Sequence, residues 1–387
     1  MAPTRFLHGE AAAQRFDPLL VKRLAAGLDE TDSLGDAVVA ASRDLPGGGR
    51  QAIDDWLDGS SSIPSSLREL LEPMAEAPDW VDWARIGRAS VAYWRGGLLT
   101  PLALNCAALA AGYRSGAGVK PLTMTGRLVR MAYRRQQETA RWALAATAPG
   151  GLRRGAPGFK ETIRVRIVHA TVRRRILAGG RWQPEHWGAP INLTDTAYGI
   201  AGEFSTVPVA ALQDAGLHYS AAERDDIQHL WRYVGHLLGL PGDLLADSEE
   251  RAHTMIAIKE LTDTPADEDS RTLVHALIQH GTSVESLVPR PFARLAGKAI
   301  PPVLFGLTRH WAGSEVADEL EIPDTPLKHL IPLLRPAVRA GEIPRRLGLI
   351  DDAWLATRTT RLVESMLDAG SAPTGILTAQ EAGAEVA

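Results

Sequence analysis

The sequence has a single cysteine, Cys106, among its 387 residues. One thiol excludes an intramolecular disulfide framework, a cysteine-rich zinc site, a four-cysteine iron–sulfur cluster and covalent haem attachment through C-x-x-C-H. Cys106 lies in the apolar run LALNCAALAAGY. We therefore predict that this thiol packs in the core and binds no metal.

Several common catalytic and binding motifs are also missing. The sequence has no H-E-x-x-H, no G-x-S-x-G, no Walker A motif and no G-x-G-x-x-G after a strand. The formal net charge is -4 at pH 7, and arginines do not interleave with aromatic residues. We therefore predict no nucleic-acid partner.

Export and membrane signals are absent as well. Residues 1–20 contain no basic segment followed by an apolar one and no twin arginine, which predicts a cytoplasmic protein. The longest uncharged stretch, Gly96–Tyr113, approaches the length of a membrane span, but Thr100, Pro101 and Asn105 interrupt it. We predict a buried core helix here and no stable membrane insertion.

Strand patterns are scarce and helical periodicity is common, so the predicted fold is all-α. We divide the chain into a partly helical N-terminal extension (1–77), one domain (78–344), and a C-terminal helix with a disordered tail after Ala369 (345–387). Helices are predicted over Thr125–Ala146, Phe159–Leu177 and 220–240, at a start capped near Asn192–Thr194, and on both sides of Pro265 within Ser248–His280.

His169 is the first candidate site residue. Val165, Val168, Val172 and Ile176 surround it at helical spacing, so it should point inward with them. A buried imidazole needs a partner, which could be a side chain, a backbone carbonyl or a metal.

Arg135, Glu138 and Thr139 interrupt the apolar face of the preceding predicted helix. A turn over 148–158 should make the two helices antiparallel neighbours, so that these polar groups face His169. This arrangement suits a cofactor slot between helices. The alternative is a buried ion pair between Arg135 and Glu138, with His169 bonded to a backbone carbonyl.

Four segments together resemble the rubber oxygenases (latex-clearing proteins) and MpaB-type haem oxygenases, over roughly Pro78 to Pro344. They are the R-x-x-E-T segment of Arg135 to Thr139, APGG with VRIVHATVRR around His169, WGAPINLTDTAYGIAGEFS (187–205) and HLWRYVGHLLGLPGDLL (229–245). The resemblance implies a globin-like all-α domain that binds haem b without a covalent bond. It also implies that His169 is the proximal iron ligand.

In this family the segment reads R-x-x-K-T and lies over the distal face, where its Lys can occupy the sixth iron position. Here Glu138 replaces that Lys. A carboxylate is a poor substitute for an amine ligand, so we expect Glu138 to act as a base or proton donor, or to hold a distal water. Arg135 and Thr139 are the other expected catalytic residues of the pocket.

Arg164, Arg166 and Arg173 flank His169, and the resemblance suggests that they pair with the haem propionates; the alternative is a solvated helix face. Trp142 either contacts the porphyrin or belongs to the core. His229 and His236 lie seven residues apart and are predicted to make structural hydrogen bonds rather than to serve as a ligand or pocket residues. His186, in a loop, lies either at the pocket edge or on the surface.

The resulting expectation is a haem b-dependent oxygenase that uses dioxygen on a small apolar substrate, such as an isoprenoid, a lipid or a specialised metabolite. The best-known reaction of the family is oxidative cleavage of an isoprenoid C=C bond. Because no export signal is seen, a rubber particle outside the cell is not the expected substrate. The alternatives are a haem-binding sensor or carrier without turnover, and a haem-free helical protein with a structural His169.

Overall fold

The computed structural model describes residues 2–60, 62–124, 128–280 and 290–369, and these residues form helices and no β-strand. The fold is all-α, as predicted. The first helices are α1 (Gly9–Arg15), α2 (Pro18–Gly27), α3 (Ser33–Ser42), α4 (Arg50–Leu57), α5 (Ser65–Leu71) and α6 (Trp83–Trp94). The central ones are α7 (Leu99–Leu102), α8 (Leu109–Gly112), α9 (Lys120–Thr123), α10 (Leu128–Thr147), α11 (Pro157–Ala178), α12 (Pro184–Trp187), α13 (Leu193–Tyr198) and α14 (Val207–Asp214). The last are α15 (Ala221–Leu237), α16 (Glu249–Thr262), α17 (Glu268–His280), α18 (Arg290–Glu319), α19 (Leu330–Arg346) and α20 (Asp352–Ala369).

The N-terminal helices belong to the same core as the rest of the chain. Leu24 of α2, Val38 of α3 and Leu67 of α5 are fully buried in one hydrophobic cluster with Trp231 of α15. Burying these side chains removes apolar surface from water, which stabilises the attachment of residues 2–77 to the helices that follow. The predicted disordered tail lies outside the described residues.

The hairpin of α10 and α11 is confirmed. Pro157 occupies the first position of α11, where its missing N–H costs nothing. A Cβ atom on Gly158 would lie 2.2 Å from the carbonyl oxygen of Ala145, so only glycine lets α11 begin this close to the end of α10. The two helices then pack against each other.

Two helical runs contain π-helical turns. The apolar run continues from α7 through the turn Ala103–Ala108 into α8, and α13 continues through the turn Gly199–Thr206 into α14. The two turns pack against each other. Such turns are frequent at functional sites. No helix of the described residues is both long enough and apolar enough to span a membrane.

The other helix predictions also hold. Asn192 caps α13, because its Oδ1 accepts a hydrogen bond from the Asp195 N–H at 2.7 Å. α16 ends before Pro265 and α17 begins after it. α15 packs against both α6 and the turn Gly199–Thr206, which fixes that turn opposite the α10–α11 hairpin.

Candidate functional site

A cavity of about 420 Å³, here called the main cavity, lies between α10, α11 and the turn Gly199–Thr206. Cofactor and ligand sites commonly enclose roughly 300–1,000 Å³. The predicted apolar stripe of α11 forms one wall: Val165, Val168, Val172 and Ile176. The inward face of α11 therefore opens onto a cavity rather than onto a filled core.

His169 lies in the middle of that wall. Within the part of the chain that the structure describes, its ring makes no hydrogen bond, so the alternative of a backbone carbonyl partner is not what the structure shows. The pKa of His169 is lowered to about 4, mainly by burial. The charges of Arg173 and Arg135 also lower it, and the charge of Asp32 partly opposes them. The imidazole is therefore neutral at pH 7 and can offer a ring nitrogen to a metal.

Arg135, Glu138 and Thr139 also line the main cavity, on the α10 side. Arg134, and not Arg135, is the ion-pair partner seen for Glu138, with 3.0 Å between Arg134 Nε and Glu138 Oε1. The Arg135 guanidinium and the Thr139 hydroxyl form no hydrogen bond or ion pair with any described residue. The structure thus brings all four predicted residues to one cavity.

A second cavity of about 110 Å³, the small cavity, lies beyond Arg135 and Thr139. Most of its wall is apolar and includes Trp94, Leu104, Leu273, Leu277 and Val363. Seven residues line both cavities, so the two share a wall: Leu109, Tyr113, Leu122, Arg135, Thr139, Glu203 and Phe204. This shared wall is the boundary between a large compartment and a small one.

Two polar residues of the shared wall, Glu203 and Tyr113, are not predicted from the sequence. Glu203 belongs to the turn Gly199–Thr206, and its carboxyl group lies so close to Gly112 that a Cβ there would be 2.3 Å from the carboxyl carbon. Burial raises the pKa of Glu203; Lys259 opposes this shift and Asp195 adds to it. Burial, with the charge of Glu203, raises the pKa of Tyr113 to about 12 against the effect of Arg135.

One sequence signal could have indicated Glu203. It is the sole charged residue between Asp195 and Asp214, within a run that is otherwise uncharged. A single charge in such a run is unfavourable unless it is paired or lines a cavity.

The three arginines that flank His169 in the sequence lie outside the cavities. Arg164 pairs with Asp54, Arg166 with Asp32 and Arg173 with Asp36, at 2.9, 2.6 and 2.8 Å. None of the three lines either cavity. Their carboxylate partners belong to the N-terminal part of the chain, so these ion pairs fasten α3 and α4 to α11. Besides Arg135, the cations that line the main cavity are Arg175, Arg181 and Lys259.

Trp142 packs in the core and also lines the main cavity. Its indole Nε1 donates a hydrogen bond to Thr162 Oγ1 at 3.0 Å, and its ring meets Phe204 edge-on with 5.0 Å between centroids. The side chain also lines the main cavity. Trp142 therefore holds α10, α11 and the turn Gly199–Thr206 together at the cavity wall.

The other histidines singled out in the sequence, His186, His229 and His236, line neither cavity, and nor does Cys106. His229 Nε2 accepts a hydrogen bond from the Asp82 N–H at 3.0 Å, and His236 Nε2 lies 3.2 Å from the Glu76 carbonyl oxygen. Both contacts fit the predicted structural role. His186 is exposed. Burial raises the pKa of Cys106 to about 12 and keeps it a thiol.

The N-terminal segment contacts two residues of the main-cavity wall. Arg5 is 4 % exposed and donates hydrogen bonds to Asp195 at 2.7 Å and to Ser115 at 3.2 Å. Asp195 and Ser115 themselves line the main cavity. The segment around Arg5 therefore supports the cavity wall.

Comparison with known proteins gives a consistent result. The family model described as "ER-bound oxygenase mpaB/B'/Rubber oxygenase, catalytic domain" matches residues 94–341. A rubber oxygenase of Streptomyces sp. (strain K30) is 20% identical over 298 residues, which cover 73% of this chain and 68% of that protein. The structure of latex clearing protein LCP in the closed state superposes with a TM-score of 0.59 at 19% identity, covering 88% of this chain and 91% of the other. The chain belongs to the family of the MpaB-type oxygenases and rubber oxygenases.

Proposed function

We propose that this protein is a haem b-dependent oxygenase that uses dioxygen on a small isoprenoid or similarly apolar substrate. One observation carries the proposal. His169 presents a neutral imidazole without a hydrogen-bond partner, among the described residues, to a cavity of about 420 Å³. Family membership supports oxygenase chemistry.

The residues of the main cavity fit a haem group. His169 would bind the iron through one ring nitrogen, and the valine stripe of α11 would contact the apolar porphyrin. Arg175, Arg181 and Lys259 line the same cavity and would pair with the propionates, in place of the arginines expected from the sequence. When bound, haem supplies an iron that binds and activates dioxygen.

The α10 residues would bind and orient the reacting molecules in the pocket. Arg135 and Thr139 have donors available at the shared wall, and we propose that they hydrogen-bond to dioxygen or to a product oxygen. Glu138 is held by Arg134, and we propose that it keeps a water molecule or a proton at the cavity wall. Trp142 would border the porphyrin while it anchors the core.

The small cavity would receive the substrate. Its volume of about 110 Å³ is modest; for comparison, an engineered apolar cavity of about 150 Å³ binds benzene. It therefore suits roughly one five-carbon isoprenoid unit. Since the Streptomyces relative is a rubber oxygenase, we propose oxidative cleavage, in which one C=C bond and one dioxygen molecule give two carbonyl groups.

Two measurements on purified protein test this function. A Soret band would separate a haem protein from a haem-free one, and dioxygen uptake with an isoprenoid alkene would separate an enzyme from a haem sensor or carrier. Thr139→Val should keep the Soret band and lose most of the dioxygen uptake. The control is Thr171→Val, because the Thr171 hydroxyl donates to the Ile167 carbonyl outside both cavities. Dioxygen uptake that is equal in both variants would contradict the role of Thr139.

A further inference from the structure

The shared wall concentrates polar groups that have no partner. Tyr113, Arg135, Thr139 and Glu203 line both cavities, and none of them forms a hydrogen bond or ion pair with the residues that the structure describes. Polar groups inside proteins are normally hydrogen-bonded. Four such side chains, partly buried on one cavity wall, are therefore available to a bound molecule.

The remainder of the small-cavity wall is mostly apolar. Gln136 Nε2 donates to Asn105 Oδ1 and Asn105 Nδ2 donates to the Pro101 carbonyl, whereas Gln136 Oε1 has no hydrogen-bond partner among the described residues. The remaining wall is hydrocarbon. A molecule in this cavity thus meets a mostly apolar surface, and the amides of Gln136 and Asn105 are its polar part away from the shared wall.

A pure hydrocarbon would leave these polar groups unpaired. It offers neither a donor nor an acceptor, and a site with buried polar groups discriminates strongly against ligands that cannot pair with them. A hydroxyl group both donates and accepts. It can therefore satisfy a carboxyl and a phenol at the same time.

We propose that the substrate is an isoprenoid alcohol, whose hydroxyl binds Glu203 and Tyr113 while its hydrocarbon part lies in the small cavity. This inference rests on the proposed function for the reacting C=C bond. It assigns Glu203 and Tyr113 as specificity-determining residues, and it leaves Arg135 and Thr139 for dioxygen.

Charged groups of both signs surround Glu203 and Tyr113. The charged groups that act on Glu203 and Tyr113 come from three helices: Lys259 of α16, Asp195 of α13 and Arg135 of α10. Burial raises the pKa of Glu203, and in either protonation state its carboxyl oxygens can accept a hydrogen bond from a neutral hydroxyl. A neutral hydroxyl adds no negative charge beside Glu203 and Asp195, whereas an anionic ligand would pair with Arg135; the acid probe below therefore tests which of the two groups selects the ligand.

Three five-carbon probes that share one skeleton test the proposal: prenol (3-methylbut-2-en-1-ol), 2-methylbut-2-ene and 3-methylbut-2-enoate. Ligand-observed NMR titration of the full chain, as purified with its cofactor, measures their dissociation constants without turnover. Prenol should bind at least about tenfold more tightly than the hydrocarbon, as expected when a buried polar group would otherwise be unpaired. Prenol should also bind more tightly than the acid.

Two variants locate the effect. Tyr113→Phe removes one hydroxyl and Glu203→Met replaces the carboxyl by an apolar group of similar length; each should weaken prenol binding about tenfold. Binding of 2-methylbut-2-ene should not weaken in either variant. The controls are Tyr198→Phe, a buried tyrosine outside both cavities, and Glu250→Gln, an exposed carboxylate. Both controls should bind prenol as the natural protein does.

The contrary outcomes are definite. Equal affinity for prenol and the hydrocarbon, tighter binding of the acid, no binding of prenol, or unchanged prenol binding in both cavity variants would each overturn the proposal. Different observations would contradict the proposed function. A protein without a Soret band or dioxygen uptake would contradict the oxygenase, whereas the probe preference is measured independently of both.

Discussion

Replacement of Arg166 by methionine should destabilise the fold without removing a cofactor contact. Arg166 Nε and Nη2 each lie 2.6 Å from an oxygen of Asp32, and the two side chains are 7% and 9% exposed. The carboxylate lies against Gly239, where an added Cβ would be 2.6 Å from the carboxyl carbon. Breaking a buried ion pair from one side costs about 3–5 kcal/mol, since the other charge stays buried and unpaired.

The assay is urea unfolding of Arg166→Met, with the unfolding free energy compared at unchanged slope. A loss of this size would be a large part of a total stability of roughly 5–15 kcal/mol. The control is Arg164→Met on the same helix, because Arg164 and Asp54 are 30% and 27% exposed. Partly exposed pairs contribute only about 0–1 kcal/mol.

A second variant tests whether the lost stability comes from the unpaired charge or from the changed shape of the side chain. The double variant Arg166→Met/Asp32→Leu removes both charges and should recover much of the lost stability. If Arg166→Met kept full stability but lost the Soret band, the reasoning would be refuted. That result would instead favour the propionate role predicted from the sequence.

Two further predictions concern the surroundings of the site. Cys106, whose pKa burial raises to about 12, should not react with a disulfide reagent at pH 8 until the protein is unfolded; rapid reaction of the native protein would contradict its burial. Burial opposes ionisation of Glu223, but the hydrogen bonds from Arg95 and Ser220 outweigh it and lower its pKa from 4.5 to about 2. Because the pKa is lower in the folded state, the stabilisation is present above pH 4.5 and is lost as the pH falls towards 2. Glu223→Gln should therefore cost about 1–3 kcal/mol near pH 7, allowing for partial solvent screening, and almost nothing near pH 2. Equal losses at both pH values, measured by denaturant unfolding, would exclude this origin.

Helical periodicity was sufficient for the α10–α11 hairpin and for the position of His169. The apolar stripe around His169 shows which face of α11 is buried, and the glycine-rich turn fixes its neighbour in the chain. Both are local properties. Arg135, Glu138 and Thr139 follow from the same argument, because residues three and four apart share one patch of a helix.

Long-range partners could not be predicted in this way. The carboxylates that bind Arg166 and Arg173 lie 134 and 137 residues earlier in the chain. Periodicity shows which face of a helix is buried but not which distant segment covers it. The resemblance suggests propionate pairing for these arginines and the alternative is a solvated helix face, whereas in the structure they pair with carboxylates of the N-terminal helices.

Glu203 was missed for a different reason. It lies in a π-helical turn, where the spacing of side chains departs from 3.6 residues per turn, so a helical pattern does not show which way it faces. Its lone charge in an uncharged run was the available signal. The structure adds what the pattern lacks, namely a shared wall between two cavities.

The absorbance spectrum of His169→Gly, recorded with and without added imidazole, tests the central claim most directly. Removal of the side chain opens space beside the main cavity, so free imidazole can enter and bind iron where His169 did. The control is His236→Ala, which removes a histidine outside both cavities and should leave the Soret band unchanged. We predict that His169→Gly loses or shifts the Soret band and that imidazole restores it. A Soret band identical to that of the natural protein, unaffected by imidazole, would contradict iron ligation by His169.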